Sequence, residues 1–200
     1  MKIYMTKPEL YNDLHPDKSL KNTGYKDKIT ALKTIKLVEK RSLKYQFDVI
    51  NTMYNRAKFH KNKTKDMEEA MEIFNIWLND YDKKKTKEDS LYKFLDVSKI
   101  KKIDNLIDIY KLSNKSKNFY EIYKSVDYKK HKLQYILVKE NKPDGYDYYS
   151  YRIKYIKSKL DKMKKNKLPF FYTNGKYKNL PTKDHLMLII HAFSPFENYL

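Results

Sequence analysis

Two clusters of cationic side chains are the residues best suited to chemistry in this chain, and that chemistry is contact with phosphate. The first cluster has five positive charges between Arg56 and Lys65. Because each neutralised phosphate releases condensed counterions, such a density of cations favours binding to a polyanion. The candidate nucleic-acid contacts of this cluster are Arg56, Lys58, Lys61 and Lys63.

The second cluster lies over residues 148–167, where eight basic residues accompany the single acidic Asp161. Tyrosines alternate with these cations, and aromatic rings can stack on bases while cations follow the backbone. Tyrosine is also common at the edge of a hydrophobic core, which is the structural alternative. Because lysine positions phosphate and bidentate guanine recognition favours arginine, we expect no strong sequence preference. The candidate contacts are Arg152, Lys154, Lys157, Lys164, Tyr151 and Tyr155.

The overall charge fits these clusters, since the 200 residues have a formal net charge of +19. A positive field of that size favours polyanionic partners. Only three of the 44 basic residues are arginines, however, and tyrosine, asparagine and isoleucine are abundant. This composition also fits an A+T-rich genome, in which lysine codons accumulate without selection for binding.

Signals for catalysis are weak. The absence of cysteine excludes disulfides, thiolate zinc sites and cysteine nucleophiles. The five histidines are scattered, and the closest pair, His185 and His191, falls on different faces of a helix. There is no glycine-rich phosphate loop and no nucleophile elbow. We predict a non-enzymatic protein with no catalytic residue, metal or cofactor.

One pattern leaves a less favoured enzymatic alternative open. Glu140 and Lys142 follow an apolar run at 132–139, and Asp127 lies upstream. A carboxylate followed by E-x-K is typical of metal-dependent nucleases when strands support it. The apolar run is compatible with either a strand or a buried helix.

The predicted fold class is mostly α: a small helical bundle, then further helices and a short C-terminal β-hairpin. Only three glycines occur in the chain, too few for a protein built from strands and turns. We divide the chain into an N-terminal arm over 1–25, a three-helix bundle over 26–85 and a mostly helical region over 88–200. A charged stretch at 83–90 marks the predicted boundary.

The bundle helices are predicted from apolar spacing at about 26–40, 43–60 and 66–81. Ser42 is the expected N-cap of the second helix, and Asp66 with Glu69 resembles a capping box that starts the third. Trp77 is the expected largest core residue. A further stripe predicts a helix over 148–165.

A hairpin is predicted at 170–178, because Asn174-Gly175 suits a type I′ turn. The final predicted helix is capped by Thr182 and supports this ribbon. The longest uncharged apolar run, 186–193, is much shorter than the about 20 residues of a membrane span. The first residues do not resemble a secretory signal, so we expect an intracellular protein without a membrane span.

An acidic segment over 66–82 contrasts with its basic neighbours. Its carboxylates could be solvated outer faces that form ion pairs between helices. Alternatively, this acidic helix could contact protein partners. In that case the chain is a structural or interaction component, and its lysine excess is compositional.

Residues 49–78 carry a resemblance to a known class of proteins. The segment runs from Val49-Ile50-Asn51 through Lys61-Asn62-Lys63 to Ile76-Trp77-Leu78. It resembles a helical module of uncharacterised giant double-stranded DNA virus proteins. The resemblance implies a viral origin and a virion or viral-factory location, but transfers no activity. We predict a basic protein that binds nucleic acid mainly through phosphate, for genome packaging or scaffolding.

Overall fold

A computed structural model describes residues 20–196 of the chain. The protein is mostly helical, as predicted. The predicted arm lies outside the described residues except for 20–25, of which Leu20 and Tyr25 pack on the first helices. The α-helices are α1 (Lys28–Val38), α2 (Leu43–Lys58), α3 (Lys65–Asn79), α4 (Tyr81–Leu91), α5 (Val97–Lys101), α6 (Asp104–Ile109), α7 (Asn114–Ser125), α8 (Tyr148–Lys165) and α9 (Lys183–Ile189), and a 3₁₀ helix spans Lys130–Tyr135.

Helices α1, α2 and α3 pack on one another around a small apolar core. Their fully buried side chains include Val38, Ile50 and Phe74, each from a different helix. Asp27 caps α1 by accepting the Thr30 N–H at 2.7 Å. The helical spacing of apolar residues therefore locates these three elements correctly.

Two details of this bundle were predicted wrongly. The N-cap of α3 is Thr64, whose Oγ1 accepts the Met67 N–H, so the helix starts before Asp66. Trp77 is half-buried, and its ring lies 6.1 Å from that of Tyr81. The largest fully buried aromatic side chain of the bundle is Phe74, because it faces the other two helices and Trp77 lies at the edge.

The charged stretch at 83–90 is not a break, because it lies within α4. Lysine and glutamate are good helix formers, and the helix is anchored at its first residue by the buried Tyr81. The Tyr81 ring contacts Phe47 of α2 at 4.4 Å between centroids. A division of the chain near this point stays a prediction.

The second half of the chain has two further apolar clusters. One joins α5, α6, α7 and α9, with Ile100, Ile103, Phe119 and Ile189 buried. The other joins α8 and α9 through Ile156, Met163 and Leu188, together with Phe193 beyond α9. Helix α8 begins and ends as the sequence predicts. Its packing on α9 determines which side of α8 faces solvent.

The predicted hairpin at 170–178 is wrong, since no β-strand occurs among residues 20–196. Gly175 has the expected positive φ of 74°, but a type I′ turn also needs a positive φ at Asn174, which the backbone lacks. Residues 170–172 instead pair briefly with 180–182, through a single bridge between Phe171 and Pro181. A wider loop joins them.

A buried ion pair connects the α1–α2 turn to the start of α8. Arg41 Nε lies 3.2 Å from Asp147 Oδ2, and both side chains are almost completely buried. Asp147 also accepts the Ser42 N–H at 2.8 Å and caps α8 through the Ser150 N–H at 2.8 Å. One carboxylate therefore holds the starts of α2 and α8 together.

Candidate nucleic-acid interface

Helix α8 presents lysines along its solvent-facing side. Ile156 and Met163 are buried toward α9, so the helical period turns the remaining positions outward. Lys154, Lys157 and Lys164, three of the predicted contacts, are all exposed. We define the α8 lysine face by the exposed residues Lys154, Lys157, Lys162, Lys164 and Lys165.

Few carboxylates neutralise the α8 lysine face. Among residues 20–196, the α8 lysine that forms an ion pair is Lys159, which contacts Asp184 and lies outside the face. Asp161 is the single acidic residue of the helix. Lys154 Nζ lies 4.3 Å from the Tyr146 ring centroid, a cation–π contact that leaves its charge in place. The face therefore carries several cations available to an anionic partner.

Arg152 does not belong to this surface, so the prediction that it contacts nucleic acid was wrong. Its side chain is fully buried, and the guanidinium carbon lies 3.5 Å from the Phe94 ring centroid. Its N–H groups donate to four backbone carbonyls that follow the C-terminal ends of α4 and α9, where a cation is favoured. The acceptors are the carbonyls of Tyr92, Lys93, His191 and Ala192.

Tyr151 and Tyr155 also lie differently from the predicted stacking platform. Both are half-buried, and Tyr155 stacks on His191 with 3.7 Å between centroids and 4° between planes. Burial raises the pKa of Tyr155 to about 12. The Tyr151 ring packs against Tyr148 at 6.2 Å. These rings form the edge of the core, the alternative that the sequence left open.

The first predicted cluster lies at the C-terminal end of α2. Lys58, Lys61 and Lys63 are exposed, whereas Arg56 is half-buried. A helix of 16 residues is about 24 Å long, and Ser42 at the other end of α2 contacts the start of α8. The structure therefore does not bring this cluster together with the start of α8.

An open groove of about 800 Å³ borders this cluster and includes residues that the sequence pattern did not indicate. Phe59 is 75 % exposed, and Lys58 Nζ lies 5.5 Å from its ring centroid. Asn51 and Asn55 supply amide groups beside Arg56. The sequence feature that could have indicated this groove was Phe59, an aromatic residue that lies between cations just beyond the apolar stripe of α2.

The acidic helix α3 does not form the ion pairs expected between helices. Within residues 20–196, no salt bridge joins its glutamates to α1 or α2. Glu68, Glu69 and Glu72 are exposed, and Ile76 on the same side is 68 % exposed. This outer side of α3 is therefore acidic with one apolar residue.

The buried histidines pack against aromatic rings. His191 lies between Tyr155 and Phe119, and burial lowers its pKa to about 3. His185 Nδ1 lies 3.1 Å from the Phe170 carbonyl, which can only accept, so Nε2 accepts from the Ser194 hydroxyl at 3.0 Å. Burial lowers the pKa of His185 to about 4. In the described part of the chain, no group of three or more metal-ligating side chains comes together.

The nuclease-like pattern lacks its structural setting. The apolar run at 132–139 begins in the 3₁₀ helix and continues to a single bridge at Leu137, without forming a strand. Glu140 is exposed beyond it, and Asp127 is exposed with a contact to Lys129 at 3.4 Å. The described residues therefore do not place these carboxylates in a common metal site.

Comparison with known proteins gives no family assignment. The chain matches no protein-family model, and no curated protein shows significant similarity to it. Across residues 20–196, every helix is too short or too polar to cross a bilayer.

Proposed function

We propose that this protein binds nucleic acid through phosphate contacts, with little preference for sequence. The observation that supports this function best is the α8 lysine face, whose cations lack acidic partners in the described range. The stretch from Lys154 to Lys165 is about 17 Å long at 1.5 Å per residue. Phosphates of one DNA strand advance about 3.4 Å along the axis, so the face can follow several in succession.

The groove beside Phe59 provides a second contact of a different kind. An exposed aromatic ring can stack on an unpaired base, and the adjacent lysines can hold the backbone. A base inside a duplex is not available for such stacking. We therefore assign duplex binding to the α8 lysine face and additional single-strand binding to the groove.

The experiment measures fluorescence anisotropy of labelled DNA with a variant carrying Lys154→Gln, Lys157→Gln and Lys164→Gln. We expect weaker binding to unrelated duplexes by a similar factor. The matched control replaces Lys83, Lys84 and Lys87 of α4, which are also exposed, and removes the same charge. Equal losses in both variants would show that the overall field attracts DNA without a defined site.

A protein-interaction role is the second candidate, and the outer side of α3 favours it. The exposed Glu72 lies one helical turn before the exposed Ile76, and within residues 20–196 the glutamates of α3 form no ion pair. In this alternative the protein acts as a structural component, in a virion if the resemblance of residues 49–78 reflects origin. Undetectable DNA binding at low salt would favour this role over the first.

A further inference from the structure

The outer side of α1 is a helix face that is both apolar and basic. Ile29 is 79 % exposed and Leu32 is 50 % exposed, and Lys33 and Lys36 beside them are also exposed. Positions 29, 32, 33 and 36 have the spacing of neighbours on one side of a helix. Within residues 20–196 neither lysine forms an ion pair. We call these four residues the α1 basic face.

The outer side of α3 has the same spacing with acidic residues in place of the basic ones. Glu69, Glu72 and Ile76 are exposed, and Ile73 between them is half-buried. Positions 69, 72, 73 and 76 again lie on one side of a helix. We call these four residues the α3 acidic face. Each face therefore has two apolar and two charged residues, with opposite charges on the two helices.

The order of residue types along one face is the reverse of the order along the other. Along α1 the apolar pair comes before the lysines, whereas along α3 the glutamates come before the apolar pair. If the two helices run antiparallel with Ile29 level with Ile76, the constant rise of 1.5 Å per residue places each residue opposite a complementary one. The opposed pairs are Ile29 with Ile76, Leu32 with Ile73, Lys33 with Glu72 and Lys36 with Glu69.

The parallel arrangement of the same two faces lacks this match. It would place Ile29 opposite Glu69 and Leu32 opposite Glu72, so that apolar side chains would cover carboxylates. Burying a carboxylate without a partner is costly. The sequence of the two faces therefore selects the antiparallel direction.

The two faces do not meet within one chain. Helices α1 and α3 pack on each other around the core that contains Ala31, Val38, Ala70 and Phe74, which leaves both faces on the outside of the bundle. No ion pair joins them within residues 20–196. A partner with the required charges and spacing is a second copy of this chain, because every copy carries both faces.

The net charge of +19 opposes the approach of two copies. At a physiological ionic strength the Debye length is about 8 Å, so charges far from the contact are largely screened while opposed side chains still attract. The α8 lysine face contributes no residue to either helix face. It therefore stays available to nucleic acid when two copies are in contact.

We propose that the α1 basic face of one copy binds the α3 acidic face of a second copy in the antiparallel direction. The apolar residues supply the buried area, and the ion pairs determine the partner and the direction. A contact between two helix faces is smaller than a standard interface of about 1,600 Å², so the association is weak and depends on protein concentration. The inference goes beyond nucleic-acid binding and names a partner for the outer side of α3.

The test measures sedimentation velocity of the full-length protein without DNA, over a range of concentrations at physiological ionic strength. We expect the average sedimentation coefficient of the wild type to rise with concentration. One variant carries Glu69→Lys with Glu72→Lys, and the other carries Lys33→Glu with Lys36→Glu. Each variant alone should have a dissociation constant at least about tenfold higher, because like charges then oppose each other. The second variant lowers the net charge, so general repulsion cannot explain its loss of association.

A mixture of the two variants tests the pairing itself. Each variant has the charge that the other lacks, so an equimolar mixture should associate like the wild type. Circular dichroism verifies that both variants are folded. The matched control is Glu121→Lys with Glu140→Lys, two exposed positions outside both faces that add the same charge as the α3 variant. This control should associate like the wild type.

Three results would overturn the proposal. The first is a wild type that stays monomeric up to about 1 mM, beyond which an affinity is too weak to be specific. The second is association that persists in either variant alone, which would assign it to another surface. The third is a mixture that stays monomeric, or a control that weakens as much as the α3 variant. Loss of duplex binding in the α8 variant leaves this measurement unaffected, so the two proposals fail separately.

Discussion

Replacing Arg152 should destabilise the fold far more than it affects nucleic-acid binding. The guanidinium is fully buried and donates to four carbonyls, at distances from 2.7 to 3.2 Å. These carbonyls follow α4 and α9, so the side chain joins the ends of two helices. Lysine cannot replace it fully, because a compact ammonium lacks the planar arrangement of five donors.

The expected magnitude follows from the acceptors that Arg152→Met would leave unpaired. Ala192 O keeps the bond from the Leu95 N–H at 2.9 Å, so three carbonyls lose their donor. The hydrogen bond to the His191 carbonyl is fully buried. The hydrogen bonds to the Tyr92 and Lys93 carbonyls are partly buried, so water can partly replace the lost donor there. At about 1–3 kcal/mol for a buried unpaired group, we expect a loss of about 3–5 kcal/mol. That is a large share of the about 5–15 kcal/mol by which a domain is stable.

The assay is urea unfolding followed by far-ultraviolet circular dichroism, with linear extrapolation to water. Arg152→Lys should lose an intermediate amount, because the ammonium keeps some of the bonds. Lys154→Met, two residues away on the exposed side, is the control and should change stability by less than about 0.5 kcal/mol. The reasoning is refuted if Arg152→Met unfolds like the wild type while its DNA affinity falls, since Arg152 would then act as a surface contact.

Three further predictions concern pH dependence, the bundle core and capping. Burial raises the pKa of Glu88 from 4.5 to about 7, so the contribution of this carboxyl to stability is fully present below about pH 4.5 and is lost as the pH rises to about 7, by at most about 3 kcal/mol. The lowered pKa values of His185 and His191 act in the opposite direction, so the test is the difference in unfolding free energy between the wild type and Glu88→Gln, measured by urea unfolding at several pH values. Phe74→Ala should cost about 3–5 kcal/mol and Trp77→Ala clearly less, because the first ring is fully buried and the second half-buried; equal shifts in thermal unfolding would contradict this. Ser42→Ala should cost less than about 0.5 kcal/mol because its hydroxyl caps nothing, whereas Thr182→Ala should cost about 1 kcal/mol because its Oγ1 accepts the first-turn N–H of α9. A larger loss for the serine variant would assign it a structural role.

Apolar spacing predicted the helices that bury a regular stripe. Helix α8 was placed correctly because its apolar stripe repeats over the whole helix and Asp147 caps its start. Helix α4 was missed because it lacks such a stripe: its buried residue is Tyr81 at the first position, and Arg152 binds the carbonyls just beyond its other end. Local patterns therefore identify helices with one apolar side better than helices held mainly at their ends.

The hairpin and the role of Arg152 depended on contacts distant in sequence. Asn174-Gly175 favours a tight turn locally, but the Thr182 N–H donates to the Phe170 carbonyl at 2.8 Å and brings 180–182 against 170–172. The carbonyls that Arg152 satisfies lie 39 to 60 residues away, so helical periodicity could not reveal them. The one sequence feature that could have indicated a buried role for Arg152 was the rarity of arginine in this lysine-rich chain. Two of the three arginines are buried, where their planar donors satisfy several acceptors at once.

The sequence allows the exposure of the candidate interface lysines to be predicted, whereas their contact with nucleic acid stays a prediction. Exposure of Lys154, Lys157 and Lys164 follows from the phase of the α8 stripe. The exposure of Phe59 does not, because it lies just after the last turn of α2. Its position beside Lys58 depends on how the chain leaves that helix.

The salt dependence of duplex binding tests the proposed function most directly. If each of the five lysines of the α8 lysine face contacts one phosphate, the logarithm of the affinity should fall against the logarithm of salt concentration with a slope of about −4.5. The variant with Lys154→Gln, Lys157→Gln and Lys164→Gln should have a slope of about −1.8, because three contacts are lost. The α4 control, with three other lysines replaced, should keep the wild-type slope. Equal slopes for the α8 variant and the wild type, or no measurable binding at low salt, would contradict the proposed interface.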